Sequence, residues 1–248
     1  MKSVLNELLN ATTITFLGMK GVGKTIGSSI LANNINKHTI VVDIAGAYTI
    51  NRLIDEAKYY LVDEYDKRLI VKALKEGFDE KNRIVFDVSK MTKSRIVDFV
   101  DLLSEILKIG GDVAVVIDEV GEVIPQSSGK YSEQFESLVR VGRNYGVKPI
   151  IMISQRPQKV DKNALALSDY YIIMRLTHNL DLNAVKELFG LSSVEFQPLA
   201  QEIKKLNVGE CIIYKYNGDW FKAKFDMHTQ DLLKSKGNTR IDEVLKED

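Results

Sequence analysis

The residues around Lys24 form a pattern that predicts phosphate binding. Residues 18–25 read GMKGVGKT and fit G-x-x-x-x-G-K-[ST], with an apolar strand at 14–17 before them and a helix beginning near Lys24. The glycines let the backbone bend so that successive N–H groups converge on a β-phosphate. Lys24 adds a positive charge, and the Thr25 hydroxyl is placed to coordinate Mg²⁺. The residues expected to contact a nucleotide are Gly18, Met19, Lys20, Gly21, Val22, Gly23, Lys24, Thr25 and Ile26, together with Asp118.

Two acidic residues end an apolar stretch about a hundred residues further along. The run VAVVIDE closes on Asp118 and Glu119. A continuous apolar run is typical of a strand buried on both faces of a parallel sheet, and ligands bind at the carboxyl end of such strands. We expect Asp118 to hold Mg²⁺ and Glu119 to polarise the attacking water. An exposed strand terminus is the alternative, and the phosphate loop upstream argues against it.

A glutamine closes the next apolar strand. The run KPIIMIS ends at Ser154, and Gln155 follows it. A neutral amide can donate to a γ-phosphate and accept from the lytic water without titrating, so Gln155 is predicted to report whether ATP or ADP is bound. The three elements together predict Mg²⁺-dependent ATP hydrolysis, with ATP and Mg²⁺ as the cofactors.

Composition limits the choice of partners and compartment. The chain has 248 residues, of which 45% are apolar, and its 34 basic residues balance its 34 acidic ones. Such a chain has no overall field that attracts nucleic acid, so a DNA site must be a local patch. The one cysteine, Cys211, lies in an apolar pattern and is read as a core residue. We see no signal peptide and no apolar run of about eighteen residues, and therefore expect a cytoplasmic protein without direct membrane insertion.

Alternation of apolar strands and helical patterns predicts the α/β class, with a mainly parallel sheet flanked by helices. The segment 209–225, with Asn217-Gly218 between two alternating runs, predicts an antiparallel C-terminal hairpin. We expect one ATPase domain over residues 1–226, with a helical insertion at about 50–77, and a charged tail over 227–248 that includes a short helix at IDEVL. The predicted strands span 12–17, 39–43, 83–87, 112–118, 148–154 and 170–175.

Three longer stretches resemble the FtsK and HerA superfamily of ring-forming DNA motors. The stretch RVGRNYGVKPIIMISQRPQKV resembles its arginine-containing helix end, apolar strand and TQRP-type sensor, with Ser154 in place of the threonine. VVDIAGAY at 41–48 is similar to the strand-two motif of HerA-type proteins, although an acid often occupies the position of Ala47. SDYYIIMRLTHNLD at 168–181 resembles the following strand and its Arg-x-x-x-x-x-Asp tail. The resemblance covers about residues 14–216 and implies a RecA-like P-loop NTPase core.

The resemblance also implies a shared active site in a homo-oligomeric ring, with a hexamer as the expected size. An arginine near the position of Arg143 reaches the neighbouring subunit's site in this superfamily, and Arg140 and Arg175 are the substitutes. The alternative is that Arg143 lies at a helix end, interacts favourably with the helix dipole and contacts nothing catalytic. Loops after the acid strand and the sensor strand are expected to line a DNA channel. They carry Lys130, Lys159 and Lys162, for which plain solvation is the alternative.

The implied function is translocation of double-stranded DNA, in packaging or DNA transfer. Thirteen residues precede Ile14, which leaves no room for an N-terminal barrel or membrane domain, and this compactness is most similar to genome-packaging ATPases of membrane-containing and archaeal viruses. Such a protein would act in the host cytoplasm, with double-stranded DNA and a portal, nuclease or membrane protein as partners. The alternatives are a motor for protein or filament cargo in secretion, pilus or phage assembly, a nucleotide-dependent switch without translocation, and, more weakly, a small-molecule kinase.

Overall fold

A single mixed sheet carries the chain's apolar strands. The computed structural model describes residues 4–64, 66–80, 82–127, 129–226, 228 and 231–238. The strands TITFL and VAVVI are buried at every position, as expected for central strands covered on both faces. The strands are β1 (Thr13–Leu17), β2 (His38–Asp43), β3 (Ala57–Leu61), β4 (Arg83–Asp87), β5 (Val113–Ile117), β6 (Val147–Ser154), β7 (Tyr170–Ile173), β8 (Glu210–Lys215), β9 (Trp220–Asp226) and β10 (Asp231–Asn238).

Helices connect these strands and cover both faces of the sheet. One apolar cluster includes Phe99 and Phe135, and another on the far side includes Leu31 and Tyr48. None of the described helices is long and apolar enough to cross a membrane. The helices are α1 (Val4–Leu9), α2 (Lys24–Asn34), α3 (Ala47–Asn51), α4 (Lys67–Glu80), α5 (Lys93–Leu107), α6 (Glu133–Val141), α7 (Lys162–Leu165), α8 (Asn179–Leu188) and α9 (Ser193–Lys205), with 3-10 turns at Val120–Glu122, Gly142–Tyr145 and Pro157–Lys159.

The strand order places three strand ends side by side. Across the sheet the order is β10-β9-β8-β7-β1-β6-β5-β2-β4-β3. The seven strands from β7 to β3 run parallel, whereas β8, β9 and β10 are antiparallel. Because β6 lies between β1 and β5, the chain segments that follow these three strands meet at one edge. This is the mainly parallel α/β sheet with a C-terminal hairpin that the sequence predicts.

The six predicted strands agree with the structure within two residues at each end. The predicted hairpin is also present, since β8 pairs with β9 across the Asn217-Gly218 turn. In this turn the Lys215 N–H donates to the Asp219 carbonyl at 2.8 Å, and Gly218 adopts a φ of 90°. A positive φ of this kind is why glycine is favoured there.

The structure of residues 50–77 differs from the helical insertion that the sequence predicts. It is not helical throughout, because β3 lies inside it and pairs with β4 at the edge of the sheet, where Tyr59 faces Val85. Most β3 residues are half-buried, so the segment lacks the continuous apolar run that marks a central strand. The charged segment after residue 226 also differs from a free tail over part of its length, since β10 pairs with β9. The helix expected at IDEVL lies outside the described residues.

Candidate nucleotide-binding and hydrolysis site

The loop between β1 and α2 has the geometry of a phosphate cradle. Gly21 and Gly23 adopt φ values of 79° and 104°, which L side chains rarely tolerate. Gly18 is restricted for another reason, because an added Cβ would lie 2.9 Å from the Cβ of Met174. An added Cβ at Gly21 would meet nothing within 4 Å, so this part of the loop faces open space.

Backbone donors at the start of α2 are available for an anion. No hydrogen bond within the described part of the chain uses the N–H groups of Gly23, Lys24 or Thr25. These donors lie at the N-terminus of an eleven-residue helix, where the helix dipole also favours negative charge. The loop therefore fits the phosphates of a nucleotide.

The Lys24 ammonium is buried within the loop. Its Nζ donates to the Met19 carbonyl oxygen at 2.8 Å, and the side chain keeps only 6% of its exposure. Burial lowers the pKa of Lys24, and the nearby Glu119 and Asp118 carboxylates oppose that shift. An ammonium has three donors, so Nζ retains protons that can be directed at a phosphate.

Asp118 lies directly beyond β5, and its backbone N–H donates to the Val42 carbonyl at 3.1 Å. Burial raises the pKa of Asp118 to about 7, helped by Glu119 and Asp43 and opposed by Lys24. A buried carboxyl of this kind favours a nearby cation. Asp118 and the half-buried Thr25 hydroxyl offer the oxygen ligands that Mg²⁺ prefers, with phosphate oxygens and water completing the usual octahedron. No group of three or more His, Cys, Asp or Glu side chains in the described ranges forms a metal site by itself.

Glu119 has an unusual backbone conformation. Its φ of 49° and ψ of 53° are left-handed values, which cost a non-glycine residue of order 1–3 kcal/mol. Burial raises the pKa of Glu119, and hydrogen bonds from the Gln155 side chain and backbone, together with the charge of Lys24, oppose the shift. The carboxylate is thus held against Gln155.

Gln155 follows β6 and lies between the phosphate loop and the acidic pair because β6 separates β1 from β5. Two bonds at Ser154 fix this strand end. The Ser154 carbonyl accepts from the Gly18 N–H at 3.3 Å, and its buried hydroxyl accepts from the Arg156 N–H at 3.0 Å. Serine therefore retains the hydroxyl that the threonine of the TQRP-type motif would supply.

A cleft of about 400 Å³ opens beside Glu119 and Gln155. Three basic side chains line it. Lys93 forms an ion pair with Glu122 at 3.2 Å, while Arg156 and Lys159 are exposed. Lys159 is the only one of the three predicted DNA-contacting lysines that lines this cleft. Lys130 instead forms an ion pair with Asp98 and donates to Ser94, and Lys162 forms one with Glu187.

Arg143 lies far from the nucleotide-binding site of its own chain. Arg143 lies in the 3-10 turn before β6, at the amino end of the sheet, whereas Gln155 follows the carboxyl end of the same strand. The eight residues of β6 span about 26 Å at the usual rise per residue. Arg143 is exposed and forms no ion pair with any described residue. Arg140 forms an ion pair with Glu136.

Arg175 lies next to the phosphate loop, on the same edge of the sheet as Lys24. Its carbonyl oxygen accepts from the Met19 N–H at 2.9 Å, and the residue is half-buried. Of the three arginines considered, Arg175 is therefore the one adjacent to its own chain's nucleotide loop.

A network of buried hydroxyl groups supports the phosphate loop and the start of α2. The sequence analysis did not predict this network. The Tyr48 hydroxyl lies 2.5 Å from Ser28 Oγ, and that serine donates towards the carbonyl oxygens of Lys24 and Thr25 at 2.9 and 3.0 Å. Asp43, at the end of β2, accepts from the Thr49 N–H at 2.8 Å. The VVDIAGAY stretch was the available signal, but nothing in it indicates that Tyr48 reaches Ser28.

The C-terminal hairpin also contacts the phosphate loop. The Gly209 N–H, just before β8, donates to the Val22 carbonyl at 3.0 Å. In α2, Gly27 packs so closely on the Phe225 ring that an added Cβ would lie 2.7 Å from it. The hairpin is therefore part of the wall that shapes the nucleotide loop.

Comparison with solved structures identifies the fold. The genome packaging NTPase B204 from Sulfolobus turreted icosahedral virus 2, in complex with ATP-gammaS, has a TM-score of 0.61 at 15% identity, covering 92% of this chain and 98% of that chain. VirB4 of Thermoanaerobacter pseudethanolicus has a TM-score of 0.60 at 14% identity, covering 94% of this chain and 91% of that chain. No protein-family model matches the sequence, and no curated protein matches it significantly.

The chain thus has a RecA-like P-loop ATPase fold. This is the fold that the resemblance of its sequence motifs to the FtsK and HerA superfamily implied.

Proposed function

We propose that this chain is an Mg²⁺-dependent ATPase that translocates double-stranded DNA as a homo-oligomeric ring, with a hexamer as the expected size. The position of Gln155 between the Lys24 loop and the Asp118–Glu119 pair carries the proposal. A phosphate cradle alone would serve a kinase or a switch equally well. A neutral amide beside a half-buried glutamate adds a group that can couple hydrolysis to a change of shape.

The hydrolytic step assigns a role to each group in the site. The free N–H groups of Gly23 to Thr25 and the Lys24 ammonium hold the phosphates. Thr25 and Asp118 would hold Mg²⁺, which neutralises charge on the phosphates when bound. Glu119 accepts the proton of the attacking water, and Gln155 orients that water and contacts the γ-phosphate. Gln155 lies beside Glu119, so both side chains can reach the same water molecule.

Arg143 completes the site of a neighbouring copy in this proposal. Phosphoryl transfer is accelerated when a further cation meets the charge that develops on the γ-phosphate. The distance along β6 rules out action in its own site, and its exposure leaves the guanidinium free to reach another chain. Arg140, paired with Glu136, is the weaker candidate.

DNA is the cargo that we favour, in genome packaging or a related transfer process. The fold likeness to a genome packaging NTPase supports this choice, and the chain covers nearly all of that protein's length. We assign Lys159 to the DNA-contacting surface because it is exposed beside the hydrolysis cleft. Lys130 and Lys162 would first have to leave their ion pairs. A portal, nuclease or membrane protein is the expected partner, and the cytoplasm, of a host if the protein is viral, the expected compartment.

A motor for protein or filament cargo is the second candidate, because the likeness to VirB4 is almost as close. Displacement of a third strand from a DNA triplex distinguishes the two. We expect the protein to displace the third strand from long duplex DNA only when ATP is hydrolysed, and Lys24→Ala to displace none. ATP hydrolysis without displacement would contradict DNA translocation and favour the protein-cargo motor or the switch.

A further inference from the structure

A buried tyrosine connects the start of α2 to the segment that follows β2. Tyr48 lies in the first turn of α3, is fully buried, and places its hydroxyl 2.5 Å from Ser28 Oγ. The Ser28 hydroxyl has one proton, and it donates that proton towards the carbonyl oxygens of Lys24 and Thr25 in the first turn of α2. The Tyr48 hydroxyl is therefore the donor in its own bond to Ser28.

The bond from Tyr48 fixes the direction of the Ser28 side chain. A serine that bonds back to the preceding turn of its own helix competes with the backbone and tends to bend that helix. Because the Ser28 rotamer is fixed, the first turn of α2 is held in one position. That turn carries Lys24 and Thr25. Since Tyr48 is fully buried, any effect it has on a bound nucleotide or metal must pass through this turn.

The segment that carries Tyr48 is also fixed beside Asp118. Asp43 ends β2 and Asp118 follows β5, and these two strands are neighbours in the sheet. The Asp43 carboxylate accepts from the Thr49 N–H at 2.8 Å, which holds the start of α3 against the end of β2. Burial raises the pKa of Tyr48 well above its ordinary value, and the charge of Asp118 adds to the rise because the two groups lie near each other. Tyr48 therefore joins the turn that carries Thr25 to the strand ends that carry Asp118.

We propose that Tyr48 is a positioning residue that sets the separation of Thr25 and Asp118, the two side chains assigned to Mg²⁺, an inference that rests on the proposed ATPase function. Mg²⁺ demands a nearly ideal octahedron with metal–oxygen distances of about 2.0–2.1 Å. Its two protein ligands come from different elements, α2 and the end of β5, so a change in their separation weakens metal binding more than it weakens phosphate binding. Removal of groups that orient metal ligands typically lowers metal affinity by about 10–100-fold.

The test measures how much Mg²⁺ tightens nucleotide binding, a property that needs no hydrolysis. The full chain is titrated with a fluorescent, slowly hydrolysed ATP analogue in Mg²⁺ and in EDTA, and the ratio of the two Kd values is the Mg²⁺ contribution. The test variant is Tyr48→Phe, which keeps the ring and removes the hydroxyl. The matched control is Tyr171→Phe, because Tyr171 is 4% exposed and donates its hydroxyl to the Leu165 carbonyl oxygen at 2.9 Å, in a different apolar cluster from α2.

We expect Tyr48→Phe to bind the analogue in EDTA as the wild type does and to lose about tenfold of the Mg²⁺ contribution, while Tyr171→Phe keeps all of it. Ser28→Ala should lose a similar factor. The double variant should lose no more than either single variant, because both substitutions break the same connection. Thermal melting of all the proteins checks that the fold is intact, and Ser28→Ala alone serves as the test if Tyr48→Phe does not fold.

Two results would overturn this role for Tyr48. One is a Mg²⁺ contribution that is unchanged in the test variants, and the other is a loss of affinity of the same size in Mg²⁺ and in EDTA, which would mean that the hydroxyl only supports the phosphate loop. Failure of the proposed function has a different signature, since the wild-type protein would then hydrolyse no ATP at any concentration, with or without DNA.

Discussion

The side-chain amide and the backbone N–H of Gln155 lie beside the Glu119 carboxylate and oppose the rise that burial causes in its pKa. In the proposed mechanism the Glu119 carboxylate is needed for the attacking water and the Gln155 amide for the γ-phosphate, so the two groups lie next to each other before a nucleotide binds. A nucleotide or a neighbouring chain that draws the Gln155 amide away would free Glu119 to act as a base.

Substitution of Glu119, the proposed general base, should slow ATP hydrolysis without weakening ATP binding. We predict that Glu119→Gln binds ATP as well as the wild type but turns it over at least about a hundredfold more slowly, because general-base catalysis contributes about 10²–10⁴ in rate. Equilibrium binding of a fluorescent nucleotide and steady-state phosphate release measure the two properties. Turnover that is undiminished in this variant would remove Glu119 from the mechanism.

The raised pKa of Asp118 makes folding stability depend on pH. The folded chain keeps the Asp118 proton up to about pH 7, whereas the unfolded chain loses it near 3.8. The native state therefore binds more protons between these values, and this residue's contribution to stability falls as pH rises through that window, by roughly 4 kcal/mol at most. We predict that Asp118→Asn, denatured in urea without nucleotide or Mg²⁺, gains stability over the wild type at pH 8 and loses that advantage towards pH 4.

The matched control for this measurement is Asp112→Asn, which changes a carboxylate that is 73% exposed and paired with Lys37 at the surface. We expect the control to follow the pH profile of the wild type. A stability difference between Asp118→Asn and the wild type that is the same at pH 4 and pH 8 would show that Asp118 is not held protonated.

Contact between α2 and the C-terminal hairpin predicts a coupled pair of substitutions. Gly27→Ala places a Cβ 2.7 Å from the Phe225 ring, and overpacking of this kind costs about 1–3 kcal/mol, partly offset by the better helix propensity of alanine. Phe225→Leu makes room, so the double variant should lose less stability than the sum of the single variants. Chemical denaturation of the four proteins measures this coupling. Strict additivity would mean that the hairpin does not pack on α2 as described.

Substitution of Arg143 should lower the rate of ATP hydrolysis without changing the stability of the fold. We predict that Arg143→Ala lowers ATP turnover by about 10³-fold or more, within the range for cations that neutralise the transition state, with an unchanged melting temperature. Arg140→Ala, which removes the neighbouring paired arginine, is the control and should keep near wild-type turnover.

Mixing two inactive variants tests whether Arg143 acts in a neighbouring chain. Lys24→Ala subunits retain the arginine, and Arg143→Ala subunits retain a complete phosphate loop. Mixed assemblies should therefore recover part of the activity. If mixed assemblies form and no activity returns, Arg143 does not act across the interface.

Much of the sheet could be predicted because its central strands are marked by local features. Continuous apolar runs identify β1, β5 and β6, and the residues following them carry the phosphate loop, the acidic pair and Gln155. The order of strands, which brings these residues together, was not predicted, because the apolar runs do not specify which strands are neighbours.

Features that depend on distant contacts were not predictable in the same way. The edge strand β3 is half-buried and rich in charged neighbours, so its pattern resembled a helix. Neither the hydrogen bond between Tyr48 and Ser28 nor the left-handed backbone of Glu119 can be recognised from a sequence pattern. The ion pairs of Lys130 and Lys162 likewise depend on residues at least 25 positions away.

The most direct measurement is steady-state ATP hydrolysis at several protein concentrations and a stated salt concentration, with and without long double-stranded DNA. We predict that the turnover per chain rises with protein concentration, because the proposed site includes Arg143 from a second copy, and rises further when DNA is added. Turnover that is constant across concentrations and indifferent to DNA would contradict a ring-forming DNA motor.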